Sequence, residues 1–325
     1  MNASATSPTV WAAENTDVAS VLEALDTARR QAVGATTAAV MTLVVVGHNQ
    51  AAIKRAIDGL HQLGGRHPAR AIALQIDDGA EPRLSASVAT HRAADGSGTH
   101  TDDAEDIYLE VAGPVTRHLD SLVEPFTLPD LPVVAWFVDR LPAVGDPILN
   151  VADTVLVDAR DFGGPDCFSA VAALLDLGPV VDLSWQRLQP WRSLLRSTFD
   201  TPRLLPFVGG VHAVAVEGKA GPRNLIGGWL IDRLDLPLSA VRLTEAQHVR
   251  IQVSAATGGE ELAIGVGRDA NDRMLRATAV IDGGPSFANR TPLPPAGPAW
   301  GLAEGLSNFD TDRVYARALR TALDF

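Results

Sequence analysis

Cysteine occurs once in the 325 residues, as Cys167, so the chain can form neither an internal disulfide nor a cysteine-based zinc cluster. A reducing compartment is the simplest setting for such a composition. Basic residues are also scarce, with 27 Lys and Arg against 39 Asp and Glu, a net charge of −12. That field repels phosphate backbones and anionic lipid, so neither nucleic acid nor a membrane is an expected partner. Long apolar runs are missing as well. The longest, residues 38–46 and 131–138, are strand-sized and far short of the roughly 20 residues a bilayer span requires. Residues 1–10 lack the basic and apolar regions of a secretory signal, and a cytoplasmic location is expected. Three catalytic signatures are absent too: the phosphate-binding Gly-x-x-x-x-Gly-Lys string, the Gly-x-Ser-x-Gly elbow and the His-Glu-x-x-His zinc helix.

What is present is a β-α-β grammar. A helix is predicted over residues 17–31, with Val18, Val21, Leu22 and Leu25 on one face and Arg29 and Arg30 in its last turn. An unalternating, β-branched run at 39–46 predicts a strand buried on both faces. The turn Gly47-His48-Asn49 leads into a helix on Ile53, Ile57 and Leu60 that stops at Gly64-Gly65, before a strand at 71–76. Further strands are expected at 84–91, 107–111, 133–138, 154–158 and 180–183, with a polar loop at 93–106 and helices near 114–123, 167–177 and 191–199. The fold class is therefore α/β: a mixed, mainly parallel sheet flanked by helices, over residues 11–200, behind a flexible arm at 1–10. Residues 201–325 read as a smaller α+β domain. It holds a strand at 211–216, a helix at 224–234 and an antiparallel meander at 249–255, 262–266 and 275–281. A proline-rich extended connector at 285–298 and a final helix on Tyr315, Leu319 and Leu323, capped by Thr311 or Asp310, complete it.

Several candidate sites follow from this layout. Gly265-Val266-Gly267-Arg268-Asp269-Ala270 has dinucleotide-fingerprint spacing, but a β-type run follows it where a helix is needed, so a hairpin turn is predicted and no cofactor is expected. His91, Asp95, His100, Asp102 and Asp103 could ligate a metal, although acidic Gly-containing loops are ordinarily just solvated. Gly47, His48 and Asn49 lie where α/β proteins bind ligands, at a strand end and a helix start. Two readings of them stand: a small-ligand turn, or Asn49 as an N-cap with His48 on the surface. Three clusters resemble recognition surface: Arg66, His67 and Arg70 in one loop, Asp130 in the rigid string Leu128-Pro129-Asp130-Leu131-Pro132, and Trp185, Arg187, Trp191 and Arg192. Two of the six tryptophans lie in the last cluster beside two arginines, the residue types from which interface hot spots are built. Equally, the tryptophans could be core with arginine stacked on them.

Longer strings go beyond such patterns. Trp11-Ala12-Ala13-Glu14-Asn15, Gly64-Gly65-Arg66-His67-Pro68-Ala69-Arg70, Leu128-Pro129-Asp130-Leu131-Pro132-Val133, the run Ala152-Asp153-Thr154-Val155-Leu156-Val157-Asp158-Ala159-Arg160-Asp161-Phe162 and Asp182-Leu183-Ser184-Trp185-Gln186-Arg187-Leu188 occur in this order. With Trp191-Arg192, Gly228-Trp229-Leu230 and Asp312-Arg313-Val314-Tyr315-Ala316-Arg317-Ala318-Leu319, the succession resembles the OpcA family, the glucose-6-phosphate dehydrogenase assembly proteins of actinobacteria and cyanobacteria. The resemblance implies a non-catalytic partner of that dehydrogenase that favours its active oligomer and so supports NADPH supply in the oxidative pentose phosphate pathway. Against the family pattern, Ser184 stands where Asn is common and Phe137 where Trp is common. Cys167 stands alone, so the dithiol response ascribed to some cyanobacterial members has no counterpart here.

Overall fold

The computed structural model describes residues 9–31, 39–63, 66–77, 79, 81–94, 101–160, 165–269, 273–294 and 297–325, except the side chains of 9, 31, 91–94, 101–104, 165 and 298. In chain order it opens with β1 (Thr9–Ala13), α1 (Val18–Gln31), β2 (Met41–Gly47), α2 (Gln50–His61), β3 (Ala69–Asp77), β4 (Arg83–Ala94) and β5 (Thr101–Ala112). There follow α3 (Leu119–Val123), β6 (Val133–Phe137), β7 (Thr154–Val157), α4 (Pro165–Leu175), β8 (Val180–Asp182), α5 (Leu183–Arg187) and α6 (Gln189–Phe199). The remainder is β9 (Val211–Gly218), α7 (Ala220–Leu234), β10 (Val241–Glu245), β11 (Arg250–Thr257), β12 (Glu260–Arg268), β13 (Met274–Ile281), β14 (Phe287–Pro292), α8 (Pro298–Gly305) and α9 (Arg313–Ala322).

The chain divides into two units: Met1–Asp158 with Asp176–Val181 and Gly297–Asp310, and Ala159–Leu175 with Asp182–Ala296 and Thr311–Phe325. This differs from a single break near residue 200, and packing gives the reason. α6, expected to close the first domain, lies instead against β12, β13 and β14, and α4 lies against α9.

The first unit is organised on a sheet of order β1-β4-β5-β3-β2-β6-β7-β8. The pairs β5-β3, β3-β2, β2-β6 and β6-β7 are parallel, and β4 runs antiparallel to both β5 and β1. This is the mixed, mainly parallel sheet that the unalternating runs predict. β2 is buried at all seven positions, and β6 at all five, as strands covered on both faces must be.

The second unit is organised on the sheet β10-β9-β11-β12-β13-β14, in which only the β10-β9 pair is parallel. Val214, Val216, Ile251, Val253, Leu262, Ile264, Val266, Leu275 and Ala277 alternate onto one buried face. The helix α7 packs on β9 and β10 there, and α6 packs on β12 to β14. Gly228 is required where α7 meets α9, because a Cβ on it would lie 2.2 Å from the Ala318 carbonyl oxygen.

Gly265 to Arg268 lie within β12, paired antiparallel with β13, so the fingerprint-like string is part of a hairpin. Two expectations about the second unit need correction. The predicted connector at 285–298 contains β14, an edge strand whose Pro292 sits at its last position, where no ladder donor is needed. Asp312, rather than Thr311 or Asp310, caps α9, its Oδ1 accepting from the Val314 and Tyr315 amides at 2.9 and 3.0 Å. Of the expected loop at 93–106, residues 93–94 belong to β4 and 101–106 to β5, and residues 9–10 of the expected arm open β1, while 1–8, 64–65 and 95–100 lie outside the described residues.

Candidate functional site

In the first unit the strand order reverses beside β2: its helix α2 leads to β3 on one side, while β6 and β7 lie on the other. Doubly wound sheets bind ligands in the crevice beyond the carboxyl ends of strands at such a point. Gly47, His48 and Asn49 are there. The site is filled by the chain itself. The Asp139 carboxylate, just beyond β6, accepts the His48 amide at 2.9 Å and the Asn49 amide as well. Gly47 permits this approach, since a Cβ on it would stand 2.9 Å from Asp139 Oδ1. Asn49 caps α2 as the sequence suggests, its Oδ1 accepting from the Ala51 and Ala52 amides at 2.9 and 3.2 Å. An anion arriving at this turn meets N–H groups that already have an acceptor. Replacing Asp139 with Ala removes the acceptor shared by two exposed amides, which water can then reach, and should lower stability by about 0.5–1.5 kcal/mol, read from urea unfolding.

The second candidate cluster separates in space. Arg66 is exposed and His67 half-buried, where burial chiefly lowers its pKa and a backbone hydrogen bond with Ala303 opposes that. Arg70 turns inward. It is 6% exposed, donates to Glu105 Oε2 from Nε at 3.0 Å and to the Phe126 carbonyl from Nη1 at 3.0 Å. Arg29 of α1 binds the same carboxylate, Nε to Oε1 at 2.7 Å and Nη2 to Oε2 at 3.1 Å. Asp130 is exposed in the turn before β6 with φ of 61°, a left-handed conformation that Asp tolerates.

In the second unit Trp185, Trp191 and Arg192 form an internal arrangement. Trp185 is 1% exposed and Trp191 6%. The Trp185 indole Nε1 donates to Asp312 Oδ2 at 2.8 Å, and its ring stands 5.7 Å from that of Tyr315. The Arg192 guanidinium lies 3.5 Å from the Trp185 ring centroid and donates to the Trp185 carbonyl at 3.1 Å. Burial brings the Arg192 pKa down to about 10, while the charge of Asp312 works in the opposite direction. Beside it, Asp182 accepts the Ala159 and Ser184 amides at 3.1 and 2.8 Å and the Tyr315 hydroxyl at 3.0 Å. Burial and then the Asp182 charge raise the Tyr315 pKa well above its ordinary value, so it remains a donor. Ser184, the departure from Asn, accepts the Arg160 amide at 2.8 Å. Arg187 is half-buried. Phe137, the departure from Trp, is fully buried in the first unit with Arg140 at 5.1 Å from its ring.

One site escaped the sequence reading. A cleft of about 860 Å³ lies over β1, β4, β5 and β3 beside the first turn of α2, lined among others by Gln50, Lys54, Gln75, Ser85, Ser87 and Tyr108. Burial, followed by the negative charges of Asp106 and Asp58, pushes the Tyr108 phenol well up, so it stays protonated and can donate. The signal was available in β4, where Ser85 and Ser87 alternate with Leu84, Ala86 and Val88. Among the described residues no three His, Cys, Asp or Glu side chains are placed to hold a metal. Asp95 and His100, and the side chains of His91, Asp102 and Asp103, lie outside the described set. No helix among the described residues is long and apolar enough to cross a membrane.

These features define a two-unit α/β protein whose switch-point turn is filled by its own carboxylate and whose tryptophan–arginine cluster faces inward. Residues 61–173 match the family described as glucose-6-phosphate dehydrogenase subunit N-terminal domain, and 178–319 the one described as the C-terminal domain of that subunit. The chain belongs to the OpcA family. A "Putative OxPP cycle protein OpcA" from Nostoc punctiforme is 24% identical over 183 residues, which is 52% of this chain and 38% of that protein. The chain thus spans well under half the length of this relative. The crystal structure of an oxidoreductase from Sinorhizobium meliloti aligns over 87% of this chain and 95% of that one, at 11% identity and a TM-score of 0.42, too distant to bear on fold or function.

Proposed function

We propose that this chain is a non-catalytic, cytoplasmic accessory subunit that binds glucose-6-phosphate dehydrogenase and favours its active oligomer. It thereby supports NADPH production in the oxidative pentose phosphate pathway. The observation that carries this reading is the match, in order, to both domains described as parts of a glucose-6-phosphate dehydrogenase subunit. The occupied turn at Gly47-His48-Asn49 agrees with it, because the position most suited to a small ligand has its donors engaged by Asp139. Energetically, a partner that binds the active assembly better than the inactive form shifts the population toward the active one by the ratio of the two affinities. In this reading Arg66, His67, Asp130 and Arg187, which reach the surface in whole or part, are contact residues. The buried Arg70, Trp185 and Trp191 and the half-buried Arg192 hold the elements that present them.

The test is a co-purification and kinetic assay with the cognate dehydrogenase. Complex formation with a raised NADP-dependent rate, or a lowered apparent KM for glucose 6-phosphate, is the expected result. Failure to form a complex, with both parameters unchanged, would reject the reading.

A further inference from the structure

The face of the second sheet opposite its helices contains no buried residue, and its charges are unevenly matched. Strand register sets Arg276 of β13 directly opposite Arg290 of β14. In the same row Arg250 of β11 is separated from Arg276 only by Gly267 of β12. Side chains so opposed have Cβ atoms about 5 Å apart, and like charges at that spacing destabilise a sheet. Arg250 has Glu217 at 4.0 Å, and Arg290 has Asp269 at 3.6 Å. Arg276 makes no ion pair among the described residues, and its Nε is buried without a hydrogen-bond partner. A half-buried arginine with no ion pair among the described residues, set beside a second arginine, leaves a positive row that a carboxylate from outside the chain would neutralise.

The surroundings suit such a visitor. Gly265, Thr278 and Ala288 form the adjoining row, so the floor beside the arginines is low and another backbone can come close. Carboxylates accept the paired donors of a guanidinium, and such charge-assisted bonds are about twice as strong as neutral ones. A nucleic acid fits less well, because a chain of net charge −12 repels an extended phosphate backbone.

We propose that the row Arg250, Arg276 and Arg290 docks a carboxylate-bearing segment of the partner protein. The inference rests on the accessory-subunit reading, with the acidic segment belonging to the dehydrogenase. Calorimetric titration of the dehydrogenase into the full chain, at low and high salt, tests it with the double variant Arg276→Gln/Arg290→Gln and with Arg196→Gln, an arginine 81% exposed on α6, as control. The double variant should bind about tenfold more weakly or worse and lose much of the salt dependence. Its Tm should be no lower than that of the parent, since a like-charge pair has been removed, and the control should bind as the parent does. A double variant that binds as tightly as the parent would overturn the docking surface and leave the accessory-subunit reading standing. A parent chain that does not bind would overturn both. A lower Tm in the double variant would mean the arginines hold the sheet, and the inference would fall. Retention of a short DNA duplex by the parent and not by the variant would assign the row to phosphate and reject the proposed partner.

Discussion

Glu105→Ala is expected to destabilise the protein by about 3–5 kcal/mol, the cost of leaving a buried charge without its partner. Glu105 is 3% exposed and Arg70 6%, and Arg70 reaches the carboxylate through Nη2 at 2.8 Å as well as Nε at 3.0 Å. With the carboxylate gone, Arg70 keeps, among the described residues, only the Phe126 carbonyl, and Arg29 loses the tie that joins the end of α1 to β5. The acid limb of the stability profile should change too. Burial pushes the Glu105 carboxyl up, but the hydrogen bond from Arg29 and the charges of Arg70 and Arg29 outweigh it, leaving the carboxyl below its ordinary 4.5. A carboxyl depressed in the folded state adds stability that is full above its unfolded value and vanishes as pH falls through the folded one. Stability against urea should therefore fall more gently below about pH 4 in Glu105→Ala than in the parent. Equal acid slopes in the two proteins would contradict this account.

The same residues show how far sequence reasoning reaches. Covered strands were legible because the run at 39–46 has no polar alternation and can only be buried on both sides. The Asn49 cap was legible because capping is local, involving amides two and three residues on. What completes the turn is not local: Asp139 lies about 90 positions away, and no spacing rule links a carboxylate there to the amides of His48 and Asn49. Arg70 misleads for the same reason. In sequence it belongs to a basic loop with Arg66 and His67, but it begins a buried strand and its partner Glu105 lies on β5. The strand β14 was hidden by its prolines, which argue against a central strand but not against an edge. The Arg276–Arg290 pair depends on register across two strands, which composition does not encode.

Trp185→Ala should have an effect of similar size, about 3–5 kcal/mol for emptying a tryptophan site in a packed interior. The loss has three sources. The indole fills a volume beside Tyr315, its Nε1 is the donor to Asp312 Oδ2, and its face carries the Arg192 guanidinium. Asp312 also caps α9 through its other oxygen, so losing the indole loosens the carboxylate that starts this helix. The alanine leaves the half-buried Arg192 with its stacking surface gone, a second penalty that Trp185→Phe avoids. Trp185→Phe keeps an aromatic face under Arg192 but removes the indole donor and the volume of one ring, so it should cost less than the alanine, about 1–3 kcal/mol. The comparison decides between core and contact. For a core residue, the loss of dehydrogenase binding should follow the unfolded fraction and disappear where both variants are fully folded. A Trp185→Ala chain that melts like its parent yet fails to bind the dehydrogenase would make Trp185 a contact residue exposed on binding. In that case the hot-spot reading of its cluster would hold over the packing seen in the isolated chain.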